Sequence, residues 1–239
     1  MDAHRPAATL LNKRIIVPEP PVAAHRAEAQ GPGEPLALVG ATFVVGAARR
    51  EQLPPPGPPE IAFAGRSNAG KSSAINALAN RARLAFTSRT PGRTRQINLF
   101  RLASGGLAAD LPGYGYAAVS RDVKREWQDF LWEYLTTRDT LVGLVLVADA
   151  RHGLKPLDLS VLDAFVPSAR PVLVLATKSD KLNQADQKRS VAAIRAQLVL
   201  RYAAQAQAIT VVGFSATRRT GVLAADRVLC DWLGIAPRA

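Results

Sequence analysis

The sequence predicts an α/β fold, a three-layer arrangement with a mostly parallel sheet flanked by helices on both faces. Three observations predict it. Short apolar runs of strand length alternate with stretches of helical periodicity along most of the chain. Two of these runs, residues 141–147 and 171–176, are continuously apolar, as strands covered on both faces are. One strand-loop-helix passage also carries G-x-x-x-x-G-K-[ST], a phosphate-cradling loop that needs that context. At 239 residues, 48% of them hydrophobic, the chain can hold one such domain and its core. It shows no internal repeat and no second domain.

The elements follow in order. Residues 1–34 are rich in Ala and Pro with mixed charge and no sustained period, and are read as a flexible extension. The domain is expected over 35–236. Thr42-Phe43-Val44-Val45 reads as a strand, and the Pro-rich run 54–59 as a stiff connector into the apolar strand 61–64. A helix is expected from Ser73 to about Arg81, then an irregular stretch over 84–95, broken by Thr, Ser, Pro and Gly. Strands are expected at 96–102, by alternation, and at 107–109, ending at Asp110. Val123, Trp127, Phe130, Leu131, Tyr134 and Leu135 recur at helical spacing over 122–137. After the strand 141–147 come a helix at 157–165, the strand 171–176, a helix at 185–202, a strand at 209–214 and a closing helix at 221–233.

Composition narrows the partners. The net charge is +12, which points to a polyanion. The charge is concentrated: no acidic residue lies between Glu60 and Asp110, while Arg66, Lys71, Arg81, Arg83, Arg89, Arg93, Arg95 and Arg101 do. Nucleotide phosphates need one or two of these, so a nucleic-acid surface is expected on this face; a generally Arg-rich composition is the plainer alternative. Cys230 is the single cysteine, so there is no intramolecular disulfide, and no Cys/His spacing fits zinc. No run reaches membrane-span length and no secretory signal is visible, so a cytoplasmic protein without membrane contacts is expected.

The phosphate loop is Gly65, Arg66, Ser67, Asn68, Ala69, Gly70, Lys71 and Ser72. Its glycines let backbone N–H groups turn toward phosphate oxygens, and the following helix adds partial positive charge. Lys71 is expected to reach the β- and γ-phosphates, and Ser72 to place its hydroxyl on Mg²⁺. Three later stretches, each at a strand end where the sites of open sheets gather, select the nucleotide. Asp110-Leu111-Pro112-Gly113 is a D-x-x-G, with Asp110 near Mg²⁺, through water, and the Gly113 N–H on the γ-phosphate. Thr177-Lys178-Ser179-Asp180 is similar to N-K-x-D, where the Asp180 carboxylate would accept from guanine N1–H and the 2-amino group. Adenine lacks both donors and would leave the carboxylate unpaired. Phe214-Ser215-Ala216 could bring a backbone N–H to guanine O6.

GRSNAGKSSAINAL from Gly65, TSRTPGRTRQINLF from Thr87, DLPGYGYA from Asp110, TKSD from Thr177 and FSA from Phe214 resemble the EngB (YihA/YsxC) family of ribosome-assembly GTPases. That family belongs to the TrmE-Era-EngA-YihA-Septin-like class of P-loop GTPases. The likeness covers roughly residues 42–233. It implies the P-loop GTPase fold, with GTP and GDP as ligands. It assigns Thr94 to switch I as a ligand of Mg²⁺ and the γ-phosphate, with Gly92, Arg93, Thr94, Arg95 and Gln96 contacting nucleotide. It also implies association with the large ribosomal subunit and its rRNA during maturation, a requirement in cell division, and no DNA partner. A monomer is expected. One departure is Thr177, where the wider class has Asn, and its shorter side chain is expected to bridge the loops less.

Hydrolysis needs charge neutralisation and a placed water. Tyr114 stands where many small GTPases carry the water-positioning Gln, so intrinsic turnover is expected to be slow, and Tyr114 and Tyr116 are read first as packing or hinge neighbours of the glycines. Asn68 is either a candidate K⁺ ligand beside the phosphates or a residue that tolerates a tight turn. Asp149 is read as a loop-ordering residue and His152 as solvent-facing. Two other readings remain at this stage, a P-loop ATPase or kinase and a nucleotide-regulated scaffold at the division site.

Overall fold

The structure, a computed structural model, describes residues 37–85, 96–115 and 121–236, with residues 121–128 described by their backbone alone. The strands are β1 (Thr42–Ala47), β2 (Glu60–Gly65), β3 (Ile97–Arg101), β4 (Leu107–Asp110), β5 (Leu141–Asp149), β6 (Val172–Thr177) and β7 (Ile209–Gly213). The helices are α1 (Lys71–Leu78), α2 (Arg121–Thr137), α3 (Pro156–Phe165), α4 (Gln184–Arg201) and α5 (Val222–Leu233). Among the described residues the strands form one sheet in the order β1-β3-β4-β2-β5-β6-β7. Pairings from β4 through β7 are parallel, while β1–β3 and β3–β4 are antiparallel. The mostly parallel sheet read from the sequence is present. Its antiparallel corner arises because the five residues between β3 and β4 suffice for a hairpin, whereas parallel neighbours need a crossover helix.

Alternation along the central strands divides the core into two layers. Ala62, Ala64, Leu144, Leu146, Val172 and Val174 face one way and pack with Leu131 and Leu135 of α2, Val161 and Phe165 of α3, and Ile194 and Leu198 of α4. Ile61, Phe63, Val145, Val147, Leu173 and Leu175 face the other way and pack with Ile75 and Leu78 of α1 and Val222, Ala225 and Leu229 of α5. This is why β2, β5 and β6 read as unbroken apolar runs. The layers hold the strands in a register that delivers their carboxyl ends to one edge.

Local signals set the helix ends. Pro156 opens α3, and the Asn183 side chain caps α4 by accepting from the Asp186 N–H at 2.9 Å. Gly234 closes α5 with a left-handed turn. The expected extension of α1 to Arg81 is not seen; α1 starts at Lys71 and ends at Leu78, and Asn80 turns left-handed at φ 50°. The Asn76 side chain accounts for the early stop. It accepts from the Leu84 and Ala85 N–H groups at 2.9 and 2.8 Å and clamps the chain into a turn. The expected extension at 1–34 lies outside the described residues.

At the base of β2, opposite the phosphate loop, Glu60 is fully buried in an ion pair. Its carboxylate accepts from Arg138 Nη2 at 2.5 Å and Nε at 3.1 Å, and from the Tyr134 hydroxyl at 2.9 Å. Burial, then the charge of Glu60, pushes the Tyr134 phenol well above its usual range, so it stays a donor. The carboxyl-terminal end of α2 is thereby fixed to the strand that carries the phosphate loop.

Candidate functional site

Five strand ends converge on one edge. β2 runs into the loop at Gly65, β4 ends at Asp110, β5 at Asp149, β6 at Thr177 and β7 at Gly213. The phosphate loop turns through two left-handed residues, Asn68 at φ 64° and Gly70 at φ 100°. Gly70 suits the strain, since a side chain there would be unfavourable at that φ. Asn is among the few other residues that tolerate this region, so the turn reading of Asn68 has a geometric basis. The bend directs the chain into α1, which starts at Lys71 with no acidic residue in its first turn. Its amino-terminal N–H groups and positive dipole end therefore face the loop undiluted.

Lys71 and Asp110 are brought together, the Lys71 ammonium pairing with Asp110 Oδ1 in a nearly enclosed contact. The register makes this possible, because Asp110 sits beside Phe63 in the β2–β4 pairing. The rest of the D-x-x-G loop is drawn back onto the phosphate loop. Leu111 N–H donates to Phe63 O at 3.0 Å, and Ser67 N–H donates to Tyr114 O at 2.9 Å. Leu111 is wholly in the core, so its part is to anchor the loop.

The Thr177–Asp180 segment is joined to the same loop. Thr177 Oγ1 lies 2.5 Å from Ala69 O and 3.0 Å from Ala148 O. The hydroxyl carries one proton, so it serves these two carbonyls in alternation or shared, and through it the end of β6 is tied to the phosphate loop. Lys178 donates to Asn68 O at 2.6 Å and pairs with Asp149 at 3.0 Å. Burial would raise the Asp149 carboxyl, but hydrogen bonds from Arg151 and Lys178 outweigh it and hold the group well below the usual carboxylate range. Asp149 thus orders loops, and His152 beside it is exposed, both as expected.

Asp180 is oriented from β7. The Ser215 hydroxyl donates to Asp180 Oδ1 at 2.7 Å, and this bond is the main reason the carboxyl lies below its usual range. The Ser215 N–H is committed to Thr220 O at 3.0 Å, so of the two amides expected near guanine O6 this one is already engaged. Ser179 N–H donates to Phe214 O at 3.1 Å, and Phe214 is wholly buried, so these two hold the segments side by side.

Magnesium fits this donor set. Ser72 and Asp110 supply hard oxygens next to a lysine, and among the described residues no group of three His, Cys, Asp or Glu could cage a metal. An ion here would complete its shell from phosphate and water, as Mg²⁺ does in phosphoryl-transfer sites. Of the switch I residues, Gly92, Arg93, Thr94 and Arg95 lie outside the described residues. Gln96 is described, immediately before β3, with its side-chain oxygen turned toward Gly46 of β1. Tyr116 and the side chain of Trp127 lie outside the described residues.

Sequence reasoning missed a polar centre beside the site. Tyr114 is buried, and its hydroxyl donates to Asp158 Oδ1 on α3 at 2.7 Å. Burial, then the Asp158 charge, raises the phenol well above its usual range, so it neither ionises nor reaches solvent. Packing over catalysis, the reading favoured for Tyr114, agrees with this. No signal in the sequence marks Asp158, which stands 44 residues away on a helix that carries no motif.

Comparison with known proteins bears on the site. A family model described as "50S ribosome-binding GTPase" matches residues 60–178. A curated relative from Azoarcus sp. strain BH72, "Probable GTP-binding protein EngB", is 51% identical over 193 residues, covering 81% of this chain and 91% of the relative. Among solved structures, one titled as a probable GTP-binding protein engB superposes with a TM-score of 0.57 at 18% identity, over 74% of this chain and 99% of that one. The structure of Era in complex with MgGDPNP and a 16S ribosomal RNA segment superposes with a TM-score of 0.54 at 20% identity, over 76% of this chain and 57% of that one. These two structural likenesses establish the shared fold.

Proposed function

The chain belongs to the EngB family of GTP-binding proteins, and on that premise we propose that it is a GTP-hydrolysing switch acting in assembly of the large ribosomal subunit. One observation carries the reading: the segment suited to guanine is hydrogen-bonded directly to the phosphate loop, through Thr177 to Ala69 and Lys178 to Asn68. A base held by Asp180 is then in fixed relation to phosphates held by residues 65–72. The roles follow from chemistry. The loop amides and Lys71 would neutralise phosphate charge, Ser72, Thr94 and Asp110 would hold Mg²⁺, and Gly113 would meet the γ-phosphate. Lys178 lays its stem along the base and Asp180 accepts from it.

Bound Mg²⁺ supplies neutralisation of the charge shared by the β- and γ-phosphates. With Tyr114 sequestered on Asp158, the chain lacks a side chain at that position to place the attacking water, so intrinsic hydrolysis is slow. Asn68 is exposed within the loop and is the position for a K⁺ ion if one contributes. Equal hydrolysis rates in KCl and NaCl at matched ionic strength would remove that ion.

In the GTP state, Thr94 and Gly113 are drawn to the γ-phosphate, and the Arg-rich segment around switch I presents a basic surface to rRNA. The family model's description as ribosome-binding and the acid-free interval between Glu60 and Asp110 support this partner. The setting is the cytoplasm, with consequences for cell division, and the working unit is a monomer. Co-sedimentation with purified large subunits tests the reading at two salt concentrations with GTP, GDP or no nucleotide. Pelleting that requires GTP and weakens with salt supports it. Pelleting indifferent to both contradicts it and favours the division-site scaffold.

A further inference from the structure

The phosphate loop and the D-x-x-G loop meet at one seam. Ser67 N–H donates to Tyr114 O at 2.9 Å, Tyr114 N–H to Gly65 O at 3.4 Å, and Ser67 Oγ to Gly113 O at 3.3 Å. Gly113 is pressed against Ser67 so closely that a Cβ would lie 3.2 Å from the Ser67 N and Cα atoms. Gly113 is thus held on one side by Ser67, which packs against it and bonds its carbonyl, and on the other by Tyr114, whose backbone is bonded to Ser67 and Gly65.

Tyr114 is fixed in turn by its side chain. The ring lies in the layer shared with α2 and α3, and the hydroxyl donates to Asp158 Oδ1 at 2.7 Å. Asp158 is 1% exposed. Its other oxygen accepts from the Lys155 N–H at 2.8 Å, which caps the start of α3. The cap occupies Oδ2 alone and leaves Oδ1 to the tyrosine. Arg66, the residue next to Gly65, stands over the same pair. Burial raises the Asp158 carboxyl; the Tyr114 hydroxyl, the Lys155 N–H and then the Arg66 charge pull against it without cancelling it, and among the described residues the buried Arg66 Nε has no hydrogen-bond partner. A ring wanted only for packing would be served by Phe. A buried carboxylate aimed at the hydroxyl carries a desolvation cost, and that cost makes sense where the ring's position matters.

We propose that Asp158, outside every nucleotide motif, is a positioning residue for γ-phosphate recognition. By holding the Tyr114 hydroxyl it keeps the Gly113 amide against the phosphate loop, ready for the phosphate that distinguishes GTP from GDP. The inference rests on the reading of this chain as a GTP switch. GDP makes no use of the Gly113 amide, so loosening the seam weakens GTP alone.

The test compares affinities for GDP and the non-hydrolysable analogue GMPPNP, with Mg²⁺, in wild type, Tyr114→Phe, Asp158→Ala and the double variant. Tyr114→Phe removes one oxygen and leaves the α3 cap intact, so it reports even where Asp158→Ala fails to fold. The expected result is about five- to tenfold weaker GMPPNP binding in each single variant, with GDP affinity within about twofold of wild type. The double variant should be no weaker than the weaker single, since both remove one interaction. Equal weakening of both nucleotides, additive effects, or no change in Tyr114→Phe overturns the proposal. A wild type that binds both nucleotides while Tyr114→Phe keeps the same ratio overturns only this inference. A wild type that binds neither overturns the switch reading with it.

Discussion

Two buried ion pairs stand at opposite ends of the strand that carries the phosphate loop, and they are built differently. At the base, Glu60 has no exposure, and its carboxylate is engaged by two guanidinium nitrogens and a tyrosine hydroxyl. At the loop, Asp110 pairs with Lys71, a point charge on a flexible stem, with side chains 8% and 10% exposed. A planar guanidinium fork fixes its partner's geometry, whereas an ammonium can turn toward another anion. Saturated pairing makes the first a fixed joint between β2 and α2. Sparse pairing makes the second exchangeable, and on the proposed reading a phosphate chain with Mg²⁺ would take over the Lys71–Asp110 contact.

The contrast can be broken by substitution at either end. Glu60→Gln should have the largest effect, about 3–5 kcal/mol of lost stability in urea unfolding, because Arg138 is left buried without its counter-charge. Nucleotide affinity of the folded fraction should stay within about twofold, and a selective loss of binding would show that the base is not merely structural. Lys71→Ala should do the reverse. GTP affinity should fall about 100-fold, about 2.7 kcal/mol by titration, with a smaller change in unfolding than Glu60→Gln. Thr177→Val sharpens the comparison between the joints. It deletes a hydroxyl that ties Ala69 to the sheet, and should cost about 1 kcal/mol, weakening GTP and GDP alike.

The smallest effect is in acid. The Asp149 carboxyl is held below its unfolded value by Arg151 and Lys178. Its contribution is present above the unfolded pKa of about 3.9 and is lost as pH falls through the lower folded value. Asp149→Asn should therefore flatten the stability decline below about pH 4 and leave that above pH 6 unchanged in slope. An identical acid limb in both proteins would show that the pairing adds no stability.

Most of the fold was legible because two-faced burial writes itself into composition. β5 and β6 read as unbroken apolar runs, and the loops at their ends carry spaced motifs. The helix-stop at Leu78 was not legible, since it depends on an Asn76 side chain reaching eight and nine residues ahead. The motif residues were legible as a set, and the structure brings Lys71, Asp110, Thr177, Lys178 and Asp180 to one edge. What escaped were buried polar contacts between residues that belong to no motif pair. Asp158 on Tyr114 and Arg138 on Glu60 have no local spacing to announce them.

The central claim is that guanine and triphosphate are read together by one hydrogen-bonded unit. Isothermal titration of the wild-type chain with GTP and with ATP, both with Mg²⁺, tests it most directly, with Asp180→Ala as the control. GTP should bind at least about 100-fold more tightly than ATP, and Asp180→Ala should close most of that gap by weakening GTP. Equal affinity for the two nucleotides in the wild type would contradict the claim and return the site to an undifferentiated phosphate cradle.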